Sequence, residues 1–228
     1  MAKREDSSGY CYHWVKANMS LRSRNQWYNE AFHTLLNILT SETLKSGRML
    51  NISHGHSCIC FTETPIGFIK NDQSKYQPFG LEFVKSDIYK LGGKHVIYCT
   101  YDEFLTLPDH LKWRYVRHEP LLRDRERPYG IDFTWEREIR INSGEVILFG
   151  ESEITFPSCI GNIDFSFTNI LVPNEIYVER LMGELSKYYE DTFKEYSLEK
   201  PENSHLYDEF FVSLMKEYRS RIQSLGMF

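Results

Sequence analysis

The chain has 228 residues, 41% hydrophobic and 26% charged, enough for one large domain or a domain with an appendage, and for a sizeable buried core. Its formal net charge of -5 excludes nucleic-acid binding through bulk positive charge. No apolar run approaches the ~20 residues of a membrane helix, residues 1–10 hold no apolar signal-peptide core, and five cysteines (Cys11, Cys58, Cys60, Cys99, Cys159) follow no disulfide spacing; the expectation is a reduced, cytoplasmic protein with no membrane partner.

Residues 1–9 read as a disordered N-terminus, Tyr10 to Val15 as a short aromatic strand, and 17–28 as polar loop. A first helix is expected from Asn29 to Ser46, because Phe32, Leu35, Leu36, Leu39 and Thr43 recur at helical spacing and Gly47 supplies a stop. Ser57 to Thr62 alternates as a strand does and is ended by Pro65. Residues 70–78 read as polar loop, Phe79 to Val84 as strand, and Ser86 as the cap of a short helix that Gly92-Gly93 ends. His95 to Thr100 reads as a strand and 101–131 as a charged, loop-rich stretch with a short helix near Leu111; strands are expected near 138–142, 145–149 and 168–172. Asn174 caps a helix from Glu175 to Tyr196, with Val178, Leu181, Leu185, Tyr188 and Tyr189 on its apolar face, and Pro201 breaks it. A last helix, Ser204 to Leu225, repeats the pattern through Phe211, Leu214, Tyr218 and Ile222. The organisation expected is an α+β domain over 10–173 with an antiparallel helical appendage over 174–228.

Chemistry-bearing residues gather around Asp132 to Ile141. If this run opens a strand, Glu136 and Glu138 point the same way. Two like charges that close need a cation or a shared proton. They either form a site that stabilises positive charge, or are solvated on an edge strand and bridged to Arg137 or Arg140. His13, beside Trp14 on a short strand, and His33 on a helix read from spacing as structural. The run His54, His56, Cys58, Cys60 puts four metal-ligand types on one strand face, but ligands at successive i, i+2 positions span too far to close one tetrahedron, so no metal site is expected. Cys60 reads as strand core. Neither a phosphate-binding glycine loop nor a G-x-S-x-G elbow is present. Arg114, Arg117, Arg123, Arg125 and Arg127 either approach nucleic acid or form a solvated charged loop.

Order carries more than any single motif. His13-Trp14 is followed by an amphipathic helix (Leu35-Leu36-Asn37-Ile38-Leu39, then Leu44-Lys45-Ser46-Gly47), by Cys60-Phe61-Thr62-Glu63-Thr64-Pro65, and by a strand opening at Glu138. This order resembles the ADP-ribosyltransferase fold in its DarT-like and AbiGi-like branches, associated with bacterial toxin–antitoxin and phage-defence loci. Phe79 to Lys85, Gly92 to Tyr98, and Trp113 to Arg117 look especially like the AbiGi-type family. The resemblance covers Tyr12 to Val172. It departs at Val15, where the histidine motif has Thr or Ser, and no R-S-x-E arrangement is evident.

The resemblance implies a split, mixed or antiparallel β core with flanking helices and a C-terminal helical hairpin. It implies NAD as the cofactor and cleavage of the nicotinamide–ribose bond. Glu138 would stabilise the oxocarbenium-like ribose and Glu136 would orient or deprotonate the acceptor. His13, with Trp14 beside it, would hold the adenosine-side ribose, Phe61 or a nearby tyrosine would stack on nicotinamide, and Thr62 would bond its carboxamide. Glu138 and His13 are thereby expected to line one pocket. The function implied is an intracellular toxin or phage-defence effector acting on a nucleic acid or protein. The alternative is a non-catalytic antitoxin or partner-binding module on the same fold, docking an antitoxin or a second copy through residues 175–225. A nuclease or metal hydrolase lacks a ligand set of credible spacing.

Overall fold

The computed structural model describes residues 8–16, 23–47, 56–64, 66–71, 76–148, 150–153 and 162–227. In chain order its strands are β1 (Tyr10–Lys16), β2 (Thr43–Lys45), β3 (Ile59–Thr62), β4 (Tyr76–Val84), β5 (Lys94–His95), β6 (Ile97–Cys99), β7 (Tyr115–Arg117), β8 (Glu138–Ile141), β9 (Glu145–Ile147), β10 (Gly150–Glu153), β11 (Asn162–Phe165), β12 (Asn169–Val172) and β13 (Ile222–Ser224). The helices are α1 (Arg24–Ser41), α2 (Ile66–Asn71), α3 (Lys85–Lys90), α4 (Tyr101–Thr106), α5 (Glu175–Glu199) and α6 (Ser204–Arg221), with short 3-10 turns at Asp109–Arg114, Thr134–Glu136 and Pro201–Asn203. The fold class is mixed α+β. Contacts divide the chain into two compact units, one drawn from Met1–His13, Thr43–Phe68 and Phe83–Phe167, the other from Trp14–Glu42, Ile69–Glu82 and Thr168–Phe228.

In the first unit β1, β3, β8 and β5 pair in that order, antiparallel at each step. Alternation gives these short strands an apolar face in which Ile59, Phe61, Ile139 and Ile141 are almost wholly enclosed, and Phe61 meets the edge of Phe83 at 5.3 Å. Two-stranded pairs complete this unit, β2 with β9 and β10 with β11 antiparallel, β6 with β7 parallel.

The second unit contains a mixed sheet, β13–β12–β4, in which β4 runs antiparallel and β13 parallel to β12. The apolar faces of α1 and α5 supply its core. Tyr28, Phe32 and Tyr177 surround Phe79 with ring centroids at 5.6, 6.4 and 5.0 Å. The Arg180 guanidinium lies 4.0 Å from the Phe32 ring centroid. Further along, Tyr189 and Tyr218 of α5 and α6 meet hydroxyl to hydroxyl at 3.0 Å.

Several boundaries differ from expectation for local reasons. Helix α1 begins at Arg24, inside the expected loop, because the Ser23 hydroxyl accepts from Gln26 N. It ends at Ser41 rather than at Gly47, because Glu42 takes the left-handed conformation (φ 50°) and Thr43–Lys45 pairs with β9. The strand at 79–84 starts at Tyr76, and α2 overlaps the expected loop at 70–78, of which 72–75 lie outside the described residues. Ser86 does not cap α3: the cap position is Val84, with no side-chain bond. The strand expected at His95 to Thr100 is two strands, β5 joining β8 and β6 joining β7. The loop-rich 101–131 contains α4, fixed by a capping box in which Thr100 accepts from Glu103 N and Glu103 from Thr100 N. The last helix gives way at Ile222 to β13. Most of the expected N-terminal disordered stretch, residues 17–22 of the expected loop, Pro65 and residue 149 lie outside the described residues.

Asn174 is the cap anticipated for α5: its side chain accepts from Tyr177 N and donates to the Met227 carbonyl at 3.0 Å. Asn174→Ala is expected to lower stability by ~1 kcal/mol or somewhat more in urea denaturation, and Asn174→Asp, which keeps the cap but not the bond to Met227, to lose less.

Candidate active site

The β3–β8 register decides which side chains share a face. Ile59 lies opposite Ile141, Cys60 opposite Arg140, Phe61 opposite Ile139 and Thr62 opposite Glu138. Directly opposed residues of an antiparallel pair project to the same side. One face is therefore apolar; the other carries Cys60, Thr62, Glu138 and Arg140, all but Cys60 buried. On β1, Tyr12 lies opposite Thr62 and joins this polar face.

Glu138 opens β8 and is 9% exposed. Arg140, two residues on and hence on the same side, donates through Nε to Glu138 Oε1 at 2.7 Å. Its Nη1 donates to the carbonyls of Trp113 and Tyr115, each at 2.9 Å, so the guanidinium is fixed from two directions. Burial draws the Arg140 pKa down, but the Glu138 carboxylate, the Cys60 thiol and the Glu138 hydrogen bond more than reverse this and leave it above its ordinary value. The Tyr98 hydroxyl accepts from Glu138 N at 3.0 Å. Burial, offset in part by that hydrogen bond and reinforced by the Glu138 and Glu136 charges, pushes the Tyr98 phenol up to about 12. Burial likewise pushes the Cys58 thiol up to about 11 against the pull of Arg140.

Glu136 does not share a strand face with Glu138. It ends the 3-10 turn Thr134–Glu136, and Arg137 follows in the left-handed conformation (φ 44°), so alternation starts only at Glu138. The Asp132 carboxylate sets the turn by accepting from Thr134 N and Oγ1 at 2.8 and 2.7 Å. The Thr62 hydroxyl donates to the Glu136 carbonyl, and Thr64 Oγ1 donates to the Trp135 carbonyl at 3.1 Å. Glu136 itself is only 1% exposed. Neither carboxylate is solvated on an edge strand.

The anticipated site residues are thus divided. Glu138 and Thr62 are brought together on one face, although the Thr62 hydroxyl is engaged by backbone. His13 lies one residue beyond Tyr12 and projects to the opposite face, where its ring meets Phe61 at 5.9 Å and its Nδ1 stands 2.9 Å from the Cys60 carbonyl. His13 and Glu138 therefore do not line one pocket across these strands, and Phe61, 1% exposed, is core on the side away from Glu138. Trp14, 4% exposed, belongs to the second unit. Among the described residues no group of three or more His, Cys, Asp and Glu side chains is placed to hold a metal ion; His54 lies outside them.

Tyr12, Tyr98 and Arg140 were not anticipated as site residues. Arg140 had a legible signal, an acid and a base at i, i+2 in one strand. Tyr12 depends on cross-strand register, which spacing does not reveal. A second polar cluster sits on the His13 side at the end of β3: Glu63, 7% exposed, lies 3.4 Å from Lys85 Nζ and 3.6 Å from His95 Nε2, and the Tyr89 hydroxyl is 2.7 Å from the same nitrogen. Compared with models of known families, with curated proteins and with solved structures, the chain matches none.

Arg140→Met is expected to cost about 3–5 kcal/mol in urea denaturation, because it leaves the Glu138 carboxylate buried without this guanidinium. Adding Glu138→Gln should recover part of the loss. Both Tyr98 and Cys58 have raised pKa values, so the stability they contribute is present below their unfolded values near 10 and 9. It is lost as pH rises toward about 12 and 11. Thermal melts across this alkaline range should fall steadily, and more shallowly for Tyr98→Phe.

Proposed function

We propose that the protein is an NAD-dependent ADP-ribosyltransferase on a split-sheet fold of the DarT-like and AbiGi-like kind, acting as an intracellular toxin or phage-defence effector. The observation that carries this reading is the buried Glu138 carboxylate at the first residue of β8, held against Arg140 at 2.7 Å. An adjacent guanidinium favours the ionised form of a carboxylate. Such a group, removed from bulk water, suits a reaction in which positive charge develops on a sugar.

The donor set fits the ribosyl half of NAD. Glu138 supplies fixed negative charge and a hydroxyl acceptor, and Tyr12, opposite Thr62 on the same side, supplies a ring and a phenol. When bound, NAD supplies an electrophilic ribose carbon and nicotinamide as the leaving group. Arg140 is a positioning residue, orienting Glu138 through its bonds to Trp113 and Tyr115. Glu136, whose backbone carbonyl Thr62 and Thr64 fix two residues ahead of Glu138, is assigned the role of orienting or deprotonating the acceptor.

Two observations favour a second reading, a non-catalytic antitoxin or partner-binding module on the same fold. Arg140 already engages Glu138, and His13 projects to the other face. Incubation of the full chain with labelled NAD and cell lysate separates the two. The catalytic reading expects label transfer that Glu138→Gln reduces at least ~100-fold, measured below the melting transition of the variant, which leaves Arg140 without its carboxylate partner. Undiminished transfer by that variant would remove Glu138 from its role. No transfer, together with no rise in melting temperature at millimolar NAD, would favour the binding module.

A further inference from the structure

The charge of this chain is concentrated in one place. Residues 190–212, the far end of the α5–α6 hairpin, hold seven acidic residues (Glu190, Asp191, Glu195, Glu199, Glu202, Asp208, Glu209) and two basic ones (Lys194, Lys200), a net charge of -5. The chain as a whole has 32 acidic and 27 basic residues, so the remainder holds 25 of each and is neutral. The same end carries a groove of about 530 Å³ with Phe193, Leu198 and Phe211 in its walls and Glu190, Lys194 and Asp208 among its polar lining. Phe193 is held there by rings on several sides, stacked on Tyr207 at 6.2 Å and edge-on to Phe210 and Phe211 at 5.6 and 6.2 Å. Leu198, in the wall of the groove, is 84% exposed, and on the same stretch of the hairpin Phe210 is 58%, Leu206 51% and Val212 65% exposed. Scattered single apolar side chains on a surface need no explanation; an aromatic-walled groove with Leu198 in its wall, at a hairpin end that exposes three further large apolar side chains, does.

The geometry points to a protein-docking site for a basic amphipathic helix, whose apolar face fills the groove between α5 and α6 and whose Lys or Arg flanks meet the acidic rim. Charge selects this occupant. A second copy of the chain would bring another end of net charge -5 against the first, and nucleic acid or an anionic membrane would be repelled in the same way. A basic helix gains from both parts of the surface, laying anchors at i, i+3 or i+4 along the groove. This surface lies wholly in the second unit and does not rest on the NAD reading.

The test is a fluorescence-anisotropy titration of the full chain with three synthetic peptides of about four helical turns. One is a Leu/Lys amphipath, one has every Lys replaced by Glu, and one is a basic scramble with no apolar stripe. The Leu/Lys amphipath is expected to bind, and its affinity to fall at least ~10-fold between low and high salt as the rim charges are screened. The exposed pair Leu198→Ser/Phe210→Ser should weaken binding at least ~10-fold, with the helicity of the folded chain retained at the assay temperature by circular dichroism. Glu190→Lys/Asp208→Lys should shift preference toward the Glu peptide. Equal binding of the scramble or of the Glu peptide would overturn the assignment, as would undiminished binding by the Leu198/Phe210 variant. So would light scattering that finds a dimer of the parent abolished in that variant, because a second copy would then hold the groove.

Discussion

The β3–β8 ladder is the constraint on which the first unit turns. Four opposed pairs set Ile59, Phe61, Ile139 and Ile141 to one side and Cys60, Thr62, Glu138 and Arg140 to the other. A strand has a period of two, so slipping this register by one residue would exchange the faces and drive a carboxylate and a guanidinium into the apolar layer. The Glu138–Arg140 pair thus disfavours the wrong register more than it stabilises the right one. An ion pair this deeply buried recovers little more than the cost of desolvating its members. Its partners are backbone carbonyls from the 3-10 turn before β7 and from β7 itself, so the same guanidinium also ties that segment to the strand.

The second unit is organised differently. Its core is aromatic, with Tyr28, Phe32 and Tyr177 around Phe79, and its sheet is closed by β13, contributed by the last residues after α6. Helices α5 and α6 are therefore anchored at their near end by a strand pairing and by the Tyr189–Tyr218 contact. Farther out they carry exposed apolar side chains and a net charge of -5, from seven acidic and two basic residues. Stability accounts for the near end. Nothing in the folding of the hairpin requires the far end to combine Leu198 at 84% exposure with seven acidic residues.

What could be read from the sequence follows from the range of the interactions involved. Helix α5 and its Asn174 cap were legible because cap and apolar stripe are local in sequence. The strand at 59–62 was legible from alternation, and those at 138–141 and 169–172 were also anticipated within a residue or so. The start of α1 was not, because the polar run at 24–30 hides a cap at Ser23, and the end was not, because pairing of Thr43–Lys45 with β9 overrides helical spacing. At the candidate site, the prominence of Glu138 was visible but its surroundings were not. A left-handed Arg137 breaks the alternation on which the pairing of Glu136 with Glu138 relied. Only the cross-strand register reveals that Tyr12, rather than His13, stands on the Glu138 side.

The Arg140 contact bears directly on whether Glu138 can serve a cationic transition state. A guanidinium at 2.7 Å weakens the field of the carboxylate but does not cancel it, because the two charges lie at different distances from any third group. A positive centre ~3 Å from the carboxylate and ~6 Å from the guanidinium keeps half the attraction of the bare anion, about 3 kcal/mol at an effective dielectric near 20. That is roughly a hundredfold in rate. In exchange the carboxylate is held in place before reaction: Arg140 is itself fixed by two carbonyls, and Tyr98 accepts from the backbone N–H of Glu138. A carboxylate left mobile in a wetter cleft would have to reorganise as charge developed, and a preorganised one need not. The pair is therefore compatible with catalysis as long as the reacting carbon approaches from the side of Glu138 away from Arg140, and electrostatics would defeat an approach from the guanidinium side.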